Sequence, residues 1–429
     1  MKRREFLNAT AGLAALGVTP LGRAQAAVPP CPPPTAMANG GSASQTVCPP
    51  VGTPKYMSGM ADFAVRNLTG VYAPSNGNVS MFSALPSEWQ VTGQPNGAFG
   101  VFQAWGGGKG DAAGRRLFVH GGGHYDSSNN GLYIYDFNGD AVPTGWNVAP
   151  NSLSALSLVV ANSEQYSDNY PTAIHTYDQL WYDPVLSRFY RYGGSRFSPA
   201  GDACTSAFYY DVSAGCWNTN LPSNSSHSPF FHDAQLGTLG GTMIGAPDGS
   251  KILTLPADKQ PMFISSSGAK LALVGDAFEQ GSQIHGPAIA YDSSRNRYVA
   301  FQSGWSPATI QLITVDWSRN TFTTTQQNVD ANGLPLDTGL SVVYDGARDS
   351  FWIFGGSDQS ANGSFNSISE ISASTFALLG THTFAGGATI GYGGSLATGN
   401  YNRHVWFSDW RVICTCAGYD QPVSIIKLP

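Results

Sequence analysis

The sequence predicts an all-β fold built from a repeated unit, and three observations support this prediction. Short runs of aromatic and β-branched residues recur along the chain, and each run is bounded by Gly, Asn, Asp or Ser. The chain contains 51 glycines, and only 12% of its residues are charged. No long amphipathic helix pattern follows the N-terminus, so strands must supply the core of this 429-residue chain.

The repeated unit consists of two strands joined by a polar turn. The first strand ends in Tyr-Asp or a similar pair, and the second strand ends in one or two glycines. Four copies are recognisable, at residues 104–122, 181–195, 291–304 and 344–357. Tyr291 and Tyr344 lie 53 residues apart, and repeats of this length are typical of β-propeller blades.

We therefore predict one β-propeller domain over residues 57–429 with seven four-stranded blades, and six blades as the alternative. Less regular units near residues 231–255 and 389–413 fill two of the blades. The seventh blade depends on a contribution from residues 60–90. A large β-sandwich would not explain the recurring Tyr-Asp and Gly-Gly pairs.

The N-terminus has the pattern of an export signal. Lys2, Arg3 and Arg4 precede an apolar run over residues 11–18, and small residues follow at 24–26. Paired arginines before a modest apolar run predict a twin-arginine signal over residues 1–26, with an ordinary secretory signal as the alternative. We expect a periplasmic or extracellular protein without a membrane anchor, because the apolar run is too short to span a bilayer.

The segment after the signal, residues 27–56, is rich in Pro, Gly and Ser and is predicted to be an irregular lead-in. Removal of residues 1–26 takes away four basic residues and one acidic residue, which changes the net charge from −6 to −9. This sign argues against nucleic acid as a partner. It does not exclude an anionic substrate, because a few arginines can reverse the local field.

Six cysteines in an exported chain predict disulfides. We expect two bonds between cysteines that are close in sequence, Cys204 with Cys216 and Cys31 with Cys48. Cys414 and Cys416 share a strand face, so they either bond to each other under strain or reach other partners. A metal site at these cysteines is less favoured, because no Cys-x-x-Cys or His-x-x-x-His spacing accompanies them.

Propeller topology predicts that candidate functional residues meet on one rim. The first strand of each blade starts at this rim and the second returns to it, so residues before the first strand and after the glycines lie together. His124 and Arg196 follow glycines, while His175 and His285 precede first strands. The same rim is predicted to hold five neighbouring residues: Arg191, Tyr125, Tyr177, His232 and Trp105.

Other residues of the repeated units have structural explanations. His120 alternates with Phe118 in a strand, and we expect it to be a packed residue of the core. Asp183, Asp292 and Asp345 are expected to accept hydrogen bonds from backbone N–H groups at their turns.

The rim residues are the types that remove a proton next to a carboxylate. Histidine transfers protons near neutral pH, and arginine offers a planar fork to a carboxylate. In a uronate glycan such a site would neutralise the carboxylate, remove the C5 proton and protonate the departing O4.

The Tyr-Asp and Gly-Gly pattern resembles the kelch repeat of galactose-oxidase-like propellers. His124 after its three glycines, and the spacing from His175 to Arg191, resemble propeller-fold polysaccharide lyases of the ulvan lyase and rhamnose–glucuronate lyase type. His175 stands where those lyases place a tyrosine. The resemblance implies that the catalytic residues are His124, His175, Arg191 and Tyr125, and that the substrate-binding residues are Arg196, His285, Tyr177, His232 and Trp105.

The function predicted from this resemblance is an exported, monomeric polysaccharide lyase that acts on an anionic poly- or oligosaccharide. We expect no cofactor, although the fold admits a structural metal ion. A glycoside hydrolase is one alternative and would need a pair of carboxylates, with Asp126, Asp233 and Asp358 available. A copper-radical oxidase would need a cysteine-crosslinked tyrosine. A propeller that only binds carbohydrate or protein is the non-enzymatic alternative.

Overall fold

A computed structural model describes most of the chain after residue 52. The described residues are 53–69, 79–85, 99–103, 105–124, 126–217, 229–257, 259–272, 287–302, 309–328, 334, 336, 338–356, 363–392 and 399–429. They form six small antiparallel sheets arranged as a β-propeller. The predicted signal at 1–26 lies outside the described residues, as does nearly all of the lead-in at 27–56.

The elements follow in chain order, beginning with a strand, β1 (Val65–Leu68), and a single helical turn, α1 (Gly100–Gln103). Blade 1 contains β2 (Gly107–Asp111), β3 (Arg116–His120), β4 (Tyr133–Asp136) and β5 (Gly145–Val148). Blade 2 is preceded by a rim strand, β6 (Ile174–His175), and contains β7 (Leu180–Asp183), β8 (Arg188–Tyr192), β10 (Ser206–Asp211) and β11 (Cys216–Trp217). A second rim strand, β9 (Ser195–Arg196), pairs with β6, and β12 (Phe231–His232) adds to β10.

The remaining blades repeat this plan. Blade 3 contains β13 (Gly241–Gly245), β14 (Lys251–Pro256), β15 (Met262–Ser265) and β16 (Lys270–Leu271). Blade 4 contains β17 (Ala288–Asp292), β18 (Arg297–Gln302), β19 (Thr309–Asp316) and β20 (Thr321–Asn328). Blade 5 contains β21 (Ser341–Asp345), β22 (Ser350–Phe354), β24 (Ser367–Ser372) and β25 (Leu378–Thr383), beside a short pair of β23 (Ser364–Phe365) with β26 (Ile390–Gly391). Blade 6 contains β27 (His404–Phe407), β28 (Val412–Thr415), β29 (Val423–Lys427) and β1.

The ring closes through pairing of the two ends of the described chain. Strand β1 lies antiparallel to β29, with Val65 opposite Ile426, so it is the outer strand of blade 6. Within the range 60–90, the described strand β1 therefore completes an existing blade, and the other described element is a short 3-10 turn at Phe82–Ala84. The described residues thus form six blades, the predicted alternative, and no seventh sheet of four strands is found among them.

The inner strands of the blades are β2, β7, β13, β17, β21 and β27, and they converge on the propeller axis. A cavity of about 260 Å³ on this axis is lined by residues from all six, among them Lys109, Trp181, Ile244, Ile289, Val342 and His404. Most inner strands end at an aspartate that accepts hydrogen bonds from the turn. Asp183 accepts from Val185 N at 2.8 Å, and Asp345 accepts from Ala347 N at 3.1 Å. The predicted structural role of these aspartates is confirmed.

Aromatic residues fill the space between adjacent blades. Phe118 of blade 1 stacks on Tyr182 of blade 2, with ring centroids 4.9 Å apart. His120 lies in the same region, is fully buried, and its Nδ1 lies 3.1 Å from the Gly131 carbonyl oxygen. Burial, together with the positive charge of Arg191, lowers the pKa of His120 to about 3. His120 is therefore a neutral core residue, as expected.

The predicted Cys204–Cys216 disulfide is wrong. Cys204 is free, and Cys216 is disulfide-bonded to a partner outside the described residues. In the pairing of β11 with β10, Cys216 lies opposite Asp211, the last residue of β10. Cys204 lies two residues before the first residue of that strand. Along β10, Cys204 and the residue opposite Cys216 are seven positions apart, at about 3.3 Å per residue. This separation is far beyond the Cα distance that a disulfide spans.

The other cysteines of the described residues form no disulfide. Cys414 and Cys416 are both buried and free, so they neither bond to each other nor reach another cysteine. The predicted Cys31–Cys48 bond lies outside the described residues.

Among the described residues, no helix is long and apolar enough to cross a membrane.

A buried ion pair joins several blades near one end of the axis. Asp178, 2% exposed, lies between β6 and β7 and binds the ammonium group of Lys109 in blade 1. Its second oxygen accepts a hydrogen bond from Thr242 Oγ1 in blade 3 at 2.7 Å. Burial raises the pKa of Asp178, while Lys109, Thr242 and Asn402 oppose that rise. One carboxylate thus connects blades 1, 2 and 3.

Substitution of Asp178 by Ala should lower the free energy of unfolding by about 3 to 5 kcal/mol, because the Lys109 ammonium would be left without its partner in the interior. Denaturant unfolding measures the loss. The double variant K109Q/D178N is the matched control, since two amides can bond without an isolated charge. It should lose much less than D178A, and equal losses would contradict the explanation.

The buried His120 should make stability depend on pH. Its pKa is about 3 in the folded chain, against an ordinary value near 6.5. Between these values the unfolded chain binds a proton that the folded chain excludes. The free energy of unfolding should therefore fall as the pH decreases from 6.5, by up to about 1.4 kcal/mol per pH unit for this residue.

His120→Asn provides the test, because an amide can still donate to the Gly131 carbonyl but does not titrate. Unfolding free energies are compared between pH 4 and 8 for both proteins. The variant should show a shallower decline below pH 6.5, and a slope equal to that of the wild type would contradict the assignment.

Candidate functional site

A triple-glycine loop brings blade 1 against the rim strands of blade 2. Gly122 and Gly123 have φ of 90° and 84°, values that favour glycine. A Cβ on Gly123 would lie 2.3 Å from the Ser195 carbonyl oxygen and 2.5 Å from His175 N, so only glycine fits. The backbone N–H of the next residue, His124, donates to the Ser195 carbonyl at 3.2 Å. The loop is thereby fixed across β6 and β9.

Three polar side chains meet where this loop crosses the rim. His175 Nε2 lies 2.8 Å from Asp126 Oδ2, and His124 Nδ1 lies 3.9 Å from the same oxygen. The imidazole rings of His124 and His175 are 5.6 Å apart between centroids. We call His124, Asp126 and His175 the His–Asp–His cluster. Its members come from two blades, and the structure brings together the two histidines that the sequence predicted to be catalytic.

The members of the cluster differ in exposure. The side chain of His124 is 43% exposed and that of Asp126 is 32% exposed, whereas His175 is only 4% exposed. Burial lowers the pKa of His175, although the hydrogen bond and charge of Asp126 act in the opposite direction. A neutral His175 can donate its Nε2–H to the Asp126 carboxylate. The buried His175 thus holds Asp126 in place, and His124 faces solvent.

Aromatic residues form one wall of the site. The Trp105 ring lies 4.7 Å from the His175 ring, and its carbonyl oxygen accepts the Tyr177 N–H at 2.7 Å. Tyr177 is 4% exposed and contacts the Tyr401 ring at 5.7 Å. Burial raises the pKa of Tyr177, with a further rise from the charge of Asp126. Trp105 is partly buried in this wall.

Four bulky residues around the site have strained backbone conformations. The φ angles are 44° for His124, 50° for Trp105, 45° for Tyr177 and 44° for Tyr401. Side chains of this size rarely occupy the left-handed region, and they persist there only where the surrounding structure enforces it. Such outliers concentrate at functional sites. Their convergence beside the His–Asp–His cluster marks this part of the rim as the candidate site.

Arg191, a predicted catalytic residue, does not reach the rim surface. It is fully buried, donates from Nη1 to the Thr172 carbonyl at 2.7 Å, and lies over the Phe208 ring. Burial lowers its pKa to about 10, and the nearby Cys204 and Glu164 act in the opposite direction. A substrate would have to displace core residues to touch this guanidinium group.

The remaining predicted residues are distributed more widely. Arg196 follows Ser195 and lies 3.7 Å from a Glu164 oxygen and 3.4 Å from an Asp202 oxygen. His232 is exposed, and its Nε2 lies 2.9 Å from Thr205 Oγ1 rather than beside the His–Asp–His cluster. Tyr125 and His285 lie outside the described residues.

Sequence reasoning gave Asp126 too small a role. It appeared only as a carboxylate for a hydrolase, yet the structure places it between the two histidines. The signal was present in the spacing, because His124 and Asp126 are two residues apart in a tight loop closed by the Gly123 N–H to Ser127 carbonyl bond of 2.8 Å. Gly201 was also missed. A Cβ there would lie 2.1 Å from His124 Cδ2, so this glycine makes room for the ring.

The His–Asp–His cluster also has the composition of a metal site. Its ligand atoms all lie within 4.8 Å of one another. Two imidazoles and one carboxylate can serve proton transfer or the binding of a divalent cation.

No protein-family model and no curated protein matches this chain. The fold and the site therefore define its class by themselves. The described residues form a six-bladed β-propeller of small antiparallel sheets, with a His–Asp–His cluster and an aromatic wall on one rim.

Proposed function

We propose that the protein is an exported polysaccharide lyase that cleaves a uronate-containing glycan by β-elimination. The observation that carries this proposal is the His–Asp–His cluster beside the Trp105 ring, held by strained backbone on a propeller rim. The Tyr-Asp and Gly-Gly repeat, which resembles the kelch repeat, supports a kelch-type assignment of the blades.

The parts of the site suit an elimination. The indole of Trp105 offers an apolar face to a sugar ring, as aromatic residues commonly do in ligand sites. His124 is the exposed member of the cluster and the first that a bound glycan would touch. We assign the cluster to the reaction centre, where charge on the carboxylate is neutralised and the C5 proton leaves. Tyr125 and His285 remain predicted proton-transfer and binding residues.

The cellular setting belongs to the same proposal. The twin-arginine pattern in residues 1–26 supports export to the periplasm or beyond, where a secreted glycan would be met. The protein would act as a monomer on an anionic poly- or oligosaccharide. A hydrolase is less well supported, because Asp126 is the one carboxylate of the cluster and hydrolysis needs two.

The first test is ultraviolet absorbance of the mature protein incubated with a panel of uronate polysaccharides. A lyase forms a conjugated 4,5-unsaturated uronate and the absorbance rises. His124→Ala should reduce turnover about 100-fold or more while binding of the same glycan persists. His382→Gln, in the outer strand of blade 5, is the control and should keep wild-type turnover.

A flat trace on every glycan, with binding still detected, would replace the lyase by a propeller that only binds. A rise that His124→Ala leaves unchanged would place the reaction elsewhere on the molecule.

Gly201→Ala should lower activity by displacing the His124 ring. The new methyl group would meet His124 Cδ2 at 2.1 Å, so the imidazole must move from its place in the cluster. We expect a loss of turnover of about tenfold or more, since small misplacements of reacting groups have effects of this order.

Gly215→Ala is the matched control for this change. Gly215 has nearly the same φ, 67° against 65°, but its Cβ would come no closer than 3.6 Å to Pro150. Both variants share the backbone strain of an L-residue, and only G201A should lose activity beyond its loss of thermal stability. Equal effects of the two changes would show that strain alone matters.

A further inference from the structure

We propose that the His–Asp–His cluster binds one divalent cation of the zinc, cobalt and manganese class, and that this cation holds the uronate carboxylate of the substrate. The second half of this proposal rests on the lyase function proposed above. The first half stands on the geometry of the cluster alone.

The donor atoms are of the right kind and are already gathered. His124 Nδ1, Asp126 Oδ2 and His175 Nε2 lie within 4.8 Å of one another. Imidazole nitrogen with a carboxylate oxygen suits borderline divalent cations, and three protein ligands leave positions open for water or substrate. Because metal–ligand distances in such sites are about 2.0 to 2.2 Å, side-chain movements of about an ångström would bring all three atoms to one ion.

The ligands are also held in place by their surroundings. His175 is buried against the Trp105 ring at 4.7 Å, which restricts its rotation. The backbone of His124 is fixed by hydrogen bonds to Ser195 and Ser198, at 3.2 and 2.9 Å. Its ring lies against Gly201, where a side chain would collide with it. The exposed side of His124 supplies an entry path for the ion. A preformed site loses little conformational freedom when the ion binds.

A cation would correct the charge of this part of the rim. Among the charged groups described on this part of the rim, Asp126 belongs to the cluster, Glu164 and Asp202 lie beside Arg196, and the buried Arg191 interacts with Glu164. The balance of these five groups is one negative charge, which would repel an anionic glycan. A bound divalent cation reverses the sign to one positive charge and attracts the carboxylate at close range.

The arginines and the nearest axial lysine are poorly placed for this task. Arg191 has no solvent exposure and is bonded to the Thr172 carbonyl. Arg196 is shared between two protein carboxylates. Lys109 is committed to Asp178 near the propeller axis. The neutralising role that the sequence assigned to an arginine therefore passes to an ion on the His–Asp–His cluster.

The test uses the mature protein, freed of metal by a chelator and titrated with Co²⁺ without substrate. Visible absorption bands report the ligand set, and equilibrium dialysis counts the bound ions. We expect one Co²⁺ per chain with nitrogen and oxygen ligation. His124→Ala and Asp126→Asn should each weaken binding at least tenfold, which is the size of the loss that even an outer-shell change causes. His382→Gln should bind as the wild type does.

Thermal unfolding confirms that each variant is folded before its binding is compared, and the exposed His124 makes H124A the least disruptive change. Absence of stoichiometric binding by the wild type would overturn the proposal. Binding that H124A and D126N leave intact would overturn it as well, because the ion would then sit elsewhere.

The two proposals can fail separately. Stoichiometric binding at the cluster without elimination on any uronate glycan would retain the metal site and reject its role toward a carboxylate. Elimination that persists at full rate in metal-free protein would retain the lyase and reject the cation. Activity lost on chelation and restored by Co²⁺, Zn²⁺ or Mn²⁺ supports both.

Discussion

The arrangement of the rim depends on one buried carboxylate near the propeller axis. Asp178 binds Lys109 from blade 1 and Thr242 from blade 3, and it follows directly after Tyr177 of the candidate site. A buried charge is stable only where its partners are precisely placed, so blades 1 to 3 cannot shift independently. Trp105 comes two residues before β2, which carries Lys109, and His175 comes three residues before Asp178. Order at the axis is therefore transmitted to the functional rim.

The functional rim itself combines glycine freedom with strain in large residues. Gly123 and Gly201 bring backbone to within touching distance of His175 and the His124 ring. The large residues beside these glycines, among them His124, Trp105 and Tyr177, have unfavourable positive φ angles. A fold that tolerates such conformations in the same region devotes part of its stability to the placement of a few side chains. This division is more typical of a binding or reaction site than of a structural joint.

Much of the fold could be predicted from sequence because its repeat is local. The Tyr-Asp ending of β7, β17 and β21 and the turn bonds of Asp183 and Asp345 involve residues close in the chain. The count of seven blades is not confirmed and the alternative of six is, because the pairing of β1 with blade 6 is distant and no local signal shows that Val65 meets Ile426. The disulfide failed because hairpin proximity says nothing of the level at which Cys204 and Cys216 lie. Within the site, His124 and His175 were predictable from topology. The burial of Arg191 was not, because alternation cannot tell a rim from an interblade core.

The β1–β29 pairing has a consequence for the birth of the molecule. Val65 and Ile426 are separated by 361 residues, and a ribosome adding roughly 5 to 20 residues per second needs about 20 to 70 s to synthesise that length. During that interval the earlier blades can form from neighbouring segments, while β1 waits as an unpaired edge. The circle becomes complete only after the last strand emerges. Until β29 has left the ribosome, the ring of blades in the nascent chain is incomplete, and the edge of β1 can pair with other strands.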